Sequence, residues 1–300
     1  MRGVIVVNGY ARDPAYLYQS ERMREELIRL GVGTDILPGN SYPVMLVGGK
    51  LVSRLSAYDF CLFWDKDAYL LAAIDKLGIP LFNPARGIRL CDDKMETCIA
   101  LADAGIPMPK TLPAPLCYTQ GAAIPFSEVE TLEDALGYPI VVKESFGSLG
   151  CGVSLAEDRP ALLSSMERLK GEPHLYQQYI AESRGRDARV ITVGGEVVGG
   201  MLRESRGDFR SNIGAGGRGT PYQVPPAMAR LAERVADILG LVYCGIDFLF
   251  GEGGAPLVCE VNSNAFFAAF ERVTGINVAA RYAAEIVRSM EKRRGASSGS

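Results

Sequence analysis

Residues 244–264, CGIDFLFGEGGAPLVCEVNSN, leave the chain little local choice. Two short apolar runs, Cys244–Phe250 and Pro256–Val261, flank Gly251-Glu252-Gly253-Gly254. That is the pattern of a β-hairpin with a longer loop. Side chains alternate faces along a strand, so Glu260 and Asn262 share one face. If Phe250 pairs with Leu257, Asp247 falls directly opposite Glu260 on that face. Facing carboxylates repel and destabilise a strand pair. A divalent cation between them removes the repulsion. Asp, Glu and an Asn amide are hard oxygen ligands, suited to magnesium or manganese rather than zinc. The alternative is a solvated hairpin face in another register that separates the two acids.

The rest of the composition narrows the chemistry. The chain has 300 residues, enough for two or more domains. A net charge of −3 gives no general attraction to nucleic acid or membrane. No apolar run approaches the roughly 18–20 residues of a membrane helix, and MRGVIVVNGY reads as a first strand rather than a signal peptide. Seven cysteines without CxxC spacing argue against a zinc site or a disulfide framework and point to the reducing cytoplasm. The single histidine, His174, sits in a loop by sequence and is expected to be structural or solvated. Chemistry then falls to carboxylates, Lys, Arg, backbone and a metal.

Residues 1–85 alternate strand and helix signals, which predicts a small, mostly parallel α/β sheet. Its strands are expected at Val4–Val7, Thr34–Leu37, Phe60–Trp64 and Ile79–Phe82. Ser20 reads as the cap of a helix over Glu21–Leu30, and a second helix covers Ala68–Leu77. Without GxGxxG after the first strand a Rossmann dinucleotide site is not expected. Asn83 to Leu90 reads as a linker that runs into a linker-helix segment 86–105, whose helix is capped by Asp92 or Asp93. Lys94 in that helix's first turn opposes the helix dipole, a hint that it meets an anion, or it is a solvated surface lysine.

Residues 106–180 read as a second α/β unit. A strand ending at Lys143 leads to the glycine cluster Gly147-Ser-Leu-Gly-Cys-Gly152, which lacks the ending of a Walker A loop. It can be a flap whose amides close over phosphates, or an ordinary hairpin turn. Residues 181–295 form the third unit, with a second hairpin turning at Gly194-Gly195 and a polar loop over Arg206–Thr220. Its helices are expected at Pro226–Leu239 and from Asn277 to about Lys292. Residues 296–300 are a low-complexity tail.

Five segments occur in a telling order: CDDKMETCIALADAGIPMPKT, PIVVKESFGSLGCGV, LYQQYIAESRGRDARVITVGGEVVGGMLR, GDFRSNIGAGG and GIDFLF…LVCEVNSN…TGINVA. Together, from Cys91 to about Arg288, they resemble the ATP-grasp superfamily of carboxylate–amine ligases, in its RimK-like (alpha-L-glutamate ligase) branch. The resemblance implies an α/β (α+β) chain with an ATP-grasp fold, preceded by a Rossmann-like pre-ATP-grasp α/β domain. It implies ATP and two Mg2+ (or Mn2+) ions held by Asp247, Glu260 and Asn262. Lys94 and Lys143 would contact the phosphates, with Gly147, Ser148, Gly150 and Gly152 in the flap over them. Gln178, Tyr179 and Ile180 would be the hinge strand against adenine. Asp187 would bind nucleotide or incoming substrate, and Arg210, Ser211 and Asn212 would line the phosphate side. Arg203 would be catalytic, stabilising the transferring phosphate and an acyl-phosphate.

The implied reaction joins an amino acid, plausibly glutamate, to a carboxylate-bearing acceptor: a small molecule, a peptide or a protein C-terminus. No nucleic-acid or membrane partner is implied, and a homo-oligomer is an open option. Two departures lie near the expected acceptor site. Ile213-Gly-Ala-Gly-Gly217 stands where ribosomal-protein modifiers often carry a basic HRGG-type segment, and Phe266-Phe267 follows the metal Asn where a small residue, Pro and Gly are frequent. Both bring the chain nearer to branches acting on amino-acid-type or carrier substrates. Arg206, Arg210 and Arg218 could hold a substrate carboxylate bidentately or be solvated loop charges. The competing readings are a dipeptide- or glutathione-synthase-like ligase and, in another class, a non-catalytic ATP-binding module.

Overall fold

The computed structural model describes residues 1–12, 14–119, 121–147, 150–205, 207–211 and 217–297. Its N-terminal part runs β1 (Arg2–Val7), α1 (Pro14–Arg29), β2 (Gly33–Pro38), β3 (Val44–Val47), β4 (Lys50–Ser53), β5 (Phe60–Trp64), α2 (Ala68–Lys76), β6 (Leu81–Phe82), α3 (Ala85–Asp92) and α4 (Lys94–Leu101). The parallel sheet has the order β2-β1-β5-β6. Its central strands β1 and β5 carry continuous buried apolar runs because helices cover both faces, as in parallel sheets generally.

Two local expectations are corrected here, and one hairpin is added. Helix α1 starts at Pro14, and Ser20 lies inside it with its hydroxyl donating to the Leu17 carbonyl. A proline is well suited to the first helical position, where its missing N–H would have no partner anyway. The presumed linker after Asn83 is helix α3, and Gly87 there is a packing residue rather than a breaker. A Cβ on Gly87 would lie 2.8 Å from the Leu239 carbonyl oxygen. The β3–β4 hairpin, turning at Gly48-Gly49, was not anticipated from its sequence.

The middle part forms β7 (Thr111–Pro113), α5 (Phe126–Leu136), β8 (Ile140–Glu144), β9 (Val153–Ala156), α6 (Arg159–Leu169) and β10 (His174–Gln178). Its antiparallel sheet, β7-β10-β8-β9, backs onto α5 and α6 through Val129, Leu132, Val142, Leu162 and Tyr176. His174 opens β10 instead of lying in a loop; it is buried between the Glu172 carbonyl and the Tyr176 hydroxyl. Burial lowers its pKa, so it is a structural, neutral histidine.

The C-terminal part runs β11 (Arg186–Val193), β12 (Glu196–Glu204), β13 (Arg218–Tyr222), α7 (Pro226–Leu239), β14 (Tyr243–Phe250), β15 (Pro256–Asn262), α8 (Ala268–Thr274) and α9 (Val278–Ser297). The sheet order is β13-β12-β11-β14-β15, antiparallel throughout. The end of the long polar loop is therefore a strand, and α8 is an additional helix. Phe267 is fully buried against Trp64 and Tyr243, which removes it from any substrate surface.

The first and third parts are fastened together. The buried Asn83 amide donates to the carbonyls of Tyr243 and Ser263 and accepts from the N–H groups of Val242 and Tyr243. All its hydrogen-bonding capacity is used, so it fixes both ends of the β14–β15 hairpin at little desolvation cost. One apolar core continues across the junction from Ile5, Leu27 and Phe60 to Tyr243, Tyr282 and Ile286. No helix among the described residues is long and apolar enough to cross a membrane.

Candidate active site

One face of the five-stranded sheet carries a row of charges. Arg203 on β12 pairs with Asp187 on β11, and Arg189, two residues further along β11, pairs with Asp247 on β14. Period-2 alternation puts these side chains on one face. Arg203 binds Asp187 with both ends of its guanidinium, at 2.6 and 2.5 Å, and reaches Asp247 at 2.9 Å. Arg189 forks onto Asp247 with two bonds of 2.7 Å. Burial alone would raise the Asp247 carboxyl, but the two guanidiniums outweigh it and hold the pKa below the usual carboxylate range.

Asp247 does face Glu260, though by a different register from the one expected. Phe250 pairs with Pro256 and Phe248 with Val258, and a bulge at Cys259 then restores Asp247 opposite Glu260. The extra residue turns both Cys259 and Glu260 towards the same cleft, the re-aiming that bulges perform beside functional sites. The repulsion expected between the two acids is relieved by Arg189, which supplies the counter-charge from the neighbouring strand.

Across the cleft stands the β7-β10-β8-β9 sheet. Lys143, near the end of β8, is 8% exposed and donates to the Cys259 sulfur at 3.4 Å. Burial opposes its charge, but Cys259 and Glu260 outweigh that and raise its pKa, so it is a firm cation. Lys94 begins α4, whose N-cap Asp93 accepts from the N–H groups of Met95 and Glu96. Its ammonium crosses to the carbonyls of Glu144 and Gly147, each at 3.3 Å. Burial lowers its pKa, with Lys66 and Lys143 adding to the effect and Glu260 opposing it.

The flap begins at Gly147, and Gly150 and Gly152 have φ of 78° and 72°. A Cβ at Gly152 would collide with Glu144, so glycine is required there for space as well as for backbone. Arg210 straps the flap down, donating to the Gly150 carbonyl at 2.9 Å while Asp208 grips its guanidinium. That arrangement occupies Arg210, so it is a strap here rather than a free carboxylate clamp. Ser148, Arg206, Asn212 and most of the Ile213–Gly217 segment lie outside the described residues.

The two sheets and the flap line a cleft of about 110 Å³, open at its mouth. Lys94, Lys143, Gly150, Asp187, Arg203 and Arg210 line it, with Ser211, Asp247 and Glu260. Gln178, Tyr179 and Ile180 form one side; the Gln178 N–H is already bonded to the Lys110 carbonyl. Gly147, Gly152 and Asn262 are not in its lining. The sequence reading missed Arg189, Cys259 and Arg186, the last stacked over Phe250 at 4.5 Å. Arg189 had a signal, the spacing Asp187-x-Arg189 on one strand face; Cys259 had none, because a bulge leaves no mark in the residue pattern.

Of the oxygen donors expected to hold a divalent cation, both Asp247 oxygens accept from guanidiniums and Asn262 lies outside the cleft lining, which leaves Glu260. Glu260 has no hydrogen bond or close ion pair among the described residues, and the buried Asn262 amide nitrogen is without a partner. No group of three or more His, Cys, Asp or Glu side chains among the described residues could hold a metal by itself. A cation here would rest first on Glu260 and its phosphate ligand, with Asp247 reached only by displacing a guanidinium.

Residues 91–286 match the model of the RimK-like ATP-grasp domain. N-acetylaspartylglutamate synthase A of Mus musculus is 38% identical over 274 residues, covering 86% of this chain and 70% of that protein. Human beta-citrylglutamate synthase B is 38% identical over 230 residues, covering 75% of this chain and 58% of that protein. The chain thus spans little more than half the length of several of the curated relatives it matches. In three dimensions it resembles D-alanine–D-alanine ligase from Bacillus anthracis complexed with ATP. The TM-score is 0.71 at 18% identity, covering 99% of each chain, a likeness of fold.

Proposed function

Because the chain belongs to the RimK-like ATP-grasp family and has the ATP-grasp fold, we propose that it is an ADP-forming carboxylate–amine ligase. It joins an amino acid, with glutamate as the leading candidate, to a carboxylate-bearing acceptor. The observation that carries this reading is the facing of Lys94 and Lys143 against the Arg203–Asp187–Asp247–Glu260 row across one cleft. Phosphoryl transfer needs positioning and charge neutralisation more than a side-chain nucleophile, and this cleft provides both without a reactive histidine. The seven free thiols fit a reducing cytoplasmic setting.

In the first step an acceptor carboxylate oxygen attacks the γ-phosphorus, the bond to the β,γ-bridging oxygen breaks, and ADP leaves. In the second, the amine nitrogen attacks the acyl carbon, phosphate departs with the bonding pair, and the nitrogen loses a proton to give the amide. Lys143 and Lys94 hold phosphate oxygens. Arg203, fixed by Asp187 and Asp247, presents preorganised positive charge to the oxygens that gain charge in both steps. Residues 178–180 seat the base, and the strapped flap excludes water. Glu260 and Asn262, with Asp247, would hold two magnesium or manganese ions that neutralise phosphate charge when bound.

The test is ADP release from the purified chain with magnesium, glutamate and a panel of carboxylate acceptors, with products identified by mass. Turnover is expected with glutamate, and Glu260→Ala should reduce it to background while the melting temperature stays within a few degrees. Tight ATP binding without turnover for any pair would replace the ligase with a non-catalytic nucleotide-binding module.

A further inference from the structure

The middle part of the molecule has a cavity of its own, behind the sheet that carries Lys143. His174 and Tyr176 alternate with Leu175 and Gln177 along β10, so they face away from Gln177, which lines the nucleotide cleft. On that far side lies a space of about 320 Å³, against about 110 Å³ for the cleft. An apolar cavity of about 150 Å³ is already enough to hold a benzene ring. Pro115, Leu116, Ile124 and Met166 supply apolar wall, and Leu116 is left 37% exposed.

The polar groups lining this cavity are unbalanced. Each side-chain donor has a partner. A neutral imidazole carries one N–H; here Nδ1 donates it to the Glu172 carbonyl at 2.7 Å, so Nε2 of His174 accepts from the Tyr176 hydroxyl at 2.8 Å. The Lys170 ammonium donates to the Ala122 carbonyl at 3.0 Å and to Glu167, and the Cys117 thiol donates to the Thr119 carbonyl at 3.3 Å. What remains are acceptors. The Tyr176 oxygen keeps a lone pair, and the Glu128 carboxylate has no hydrogen bond or ion pair among the described residues. Glu128 stands in the first turn of α5, where the helix dipole favours negative charge. Burial raises its pKa, and no cation among the described residues offsets this. Burial and then the Glu128 charge raise the pKa of Tyr176, so the two acceptors are within electrostatic reach of one another.

Independently of the ligase reading, we propose that this cavity is a second binding site, for a small organic ammonium ion. The ammonium donates to Glu128 and to the Tyr176 oxygen, and the apolar body of the ligand covers Leu116 and Met166. A carboxylate or phosphate would meet Glu128 with like charge, and the site therefore takes neither the nucleotide nor an acidic substrate.

Calorimetry on the full chain tests this with benzylamine; benzyl alcohol and benzoate are controls that keep the ring and change the charge. Wild type should bind benzylamine equally well with and without saturating ADP and magnesium. Benzyl alcohol should bind more weakly, and benzoate not measurably. Glu128→Gln should weaken benzylamine by about 10- to 100-fold, the size of one lost charge-assisted contact. It should leave benzyl alcohol and ADP bound as in wild type. No benzylamine binding to wild type, or equal affinity in Glu128→Gln, overturns the inference. Competition with ADP overturns it too, by putting the amine in the nucleotide cleft. Benzoate binding as tightly as benzylamine overturns it by making Lys170 the ligand group.

Discussion

The two walls of the cleft hold their charges in opposite ways. On the five-stranded sheet, Arg203, Asp187, Arg189 and Asp247 neutralise one another through bonds of 2.5–2.9 Å. On the flap side, Lys143 meets a thiol, and Lys94 and Lys66 meet main-chain carbonyls. The first wall is preorganised: its geometry is set before any ligand arrives. The second is adaptable, with cations parked on weak acceptors that phosphate or carboxylate oxygens can replace. Catalysis by electrostatics needs the first kind of group where charge develops, and ligand capture needs the second.

The sharpest way to break this contrast is to remove the centre of the rigid wall. Arg203→Met would leave Asp187 and part of Asp247 buried without their counter-charge. Removing one partner of a buried pair costs roughly 3–5 kcal/mol, so this variant should lose stability in denaturant titration as well as turnover. A variant that is inactive yet as stable as wild type would show that the row is not held together as the distances indicate.

On the adaptable wall the same kind of loss should be milder and confined to binding. Lys143→Ala removes a cation whose partner is the Cys259 thiol, so no buried ion is stranded. ATP affinity should fall about 10- to 100-fold, read by equilibrium titration with a fluorescent nucleotide, with the unfolding midpoint little changed. Unchanged nucleotide affinity would return Lys143 to the structural framework of β8.

The same contrast separates what the sequence discloses from what it conceals. Strands β1, β5 and β8, helix α7 and the Gly194-Gly195 turn follow from periodicity and turn chemistry alone. So do the sharing of one hairpin face by Asp247 and Glu260 and the place of Lys143 near a strand end, whereas the flap over them follows from the family resemblance. The register that brings Asp247 to Glu260 does not follow, because it depends on a bulge at Cys259 that tertiary packing selects. Arg189 was legible only as a spacing, since its importance comes from a partner 58 residues away. Phe267 reads locally as part of a specificity segment, and only the Trp64–Tyr243 core shows why it is apolar. Helix α3 is hidden because Asn-Pro and Gly are loop signals until Gly87 meets the Leu239 carbonyl.

The smallest effect expected concerns two aspartates, one on each side. Asp247 is held below the usual carboxylate pKa, so its contribution to stability is complete above about pH 4, the unfolded value, and is lost as pH falls further. Asp92 is pushed up to about 6 by burial, with Lys66 only partly offsetting it. A raised carboxyl favours the fold while protonated, below the unfolded value of about 4, and the advantage disappears as pH rises through 6. Between those limits wild type should lose on the order of 3 kcal/mol from this group. Asp92→Asn has nothing to ionise, so it should match wild type near pH 4 and melt at a higher temperature at pH 7. Parallel stability profiles for the two proteins across pH 4–7 would mean that Asp92 is solvated and already charged. Lys66 would then be more firmly paired with Asp92 than its 3.8 Å separation suggests, and the flap wall less adaptable than the sheet opposite makes it look.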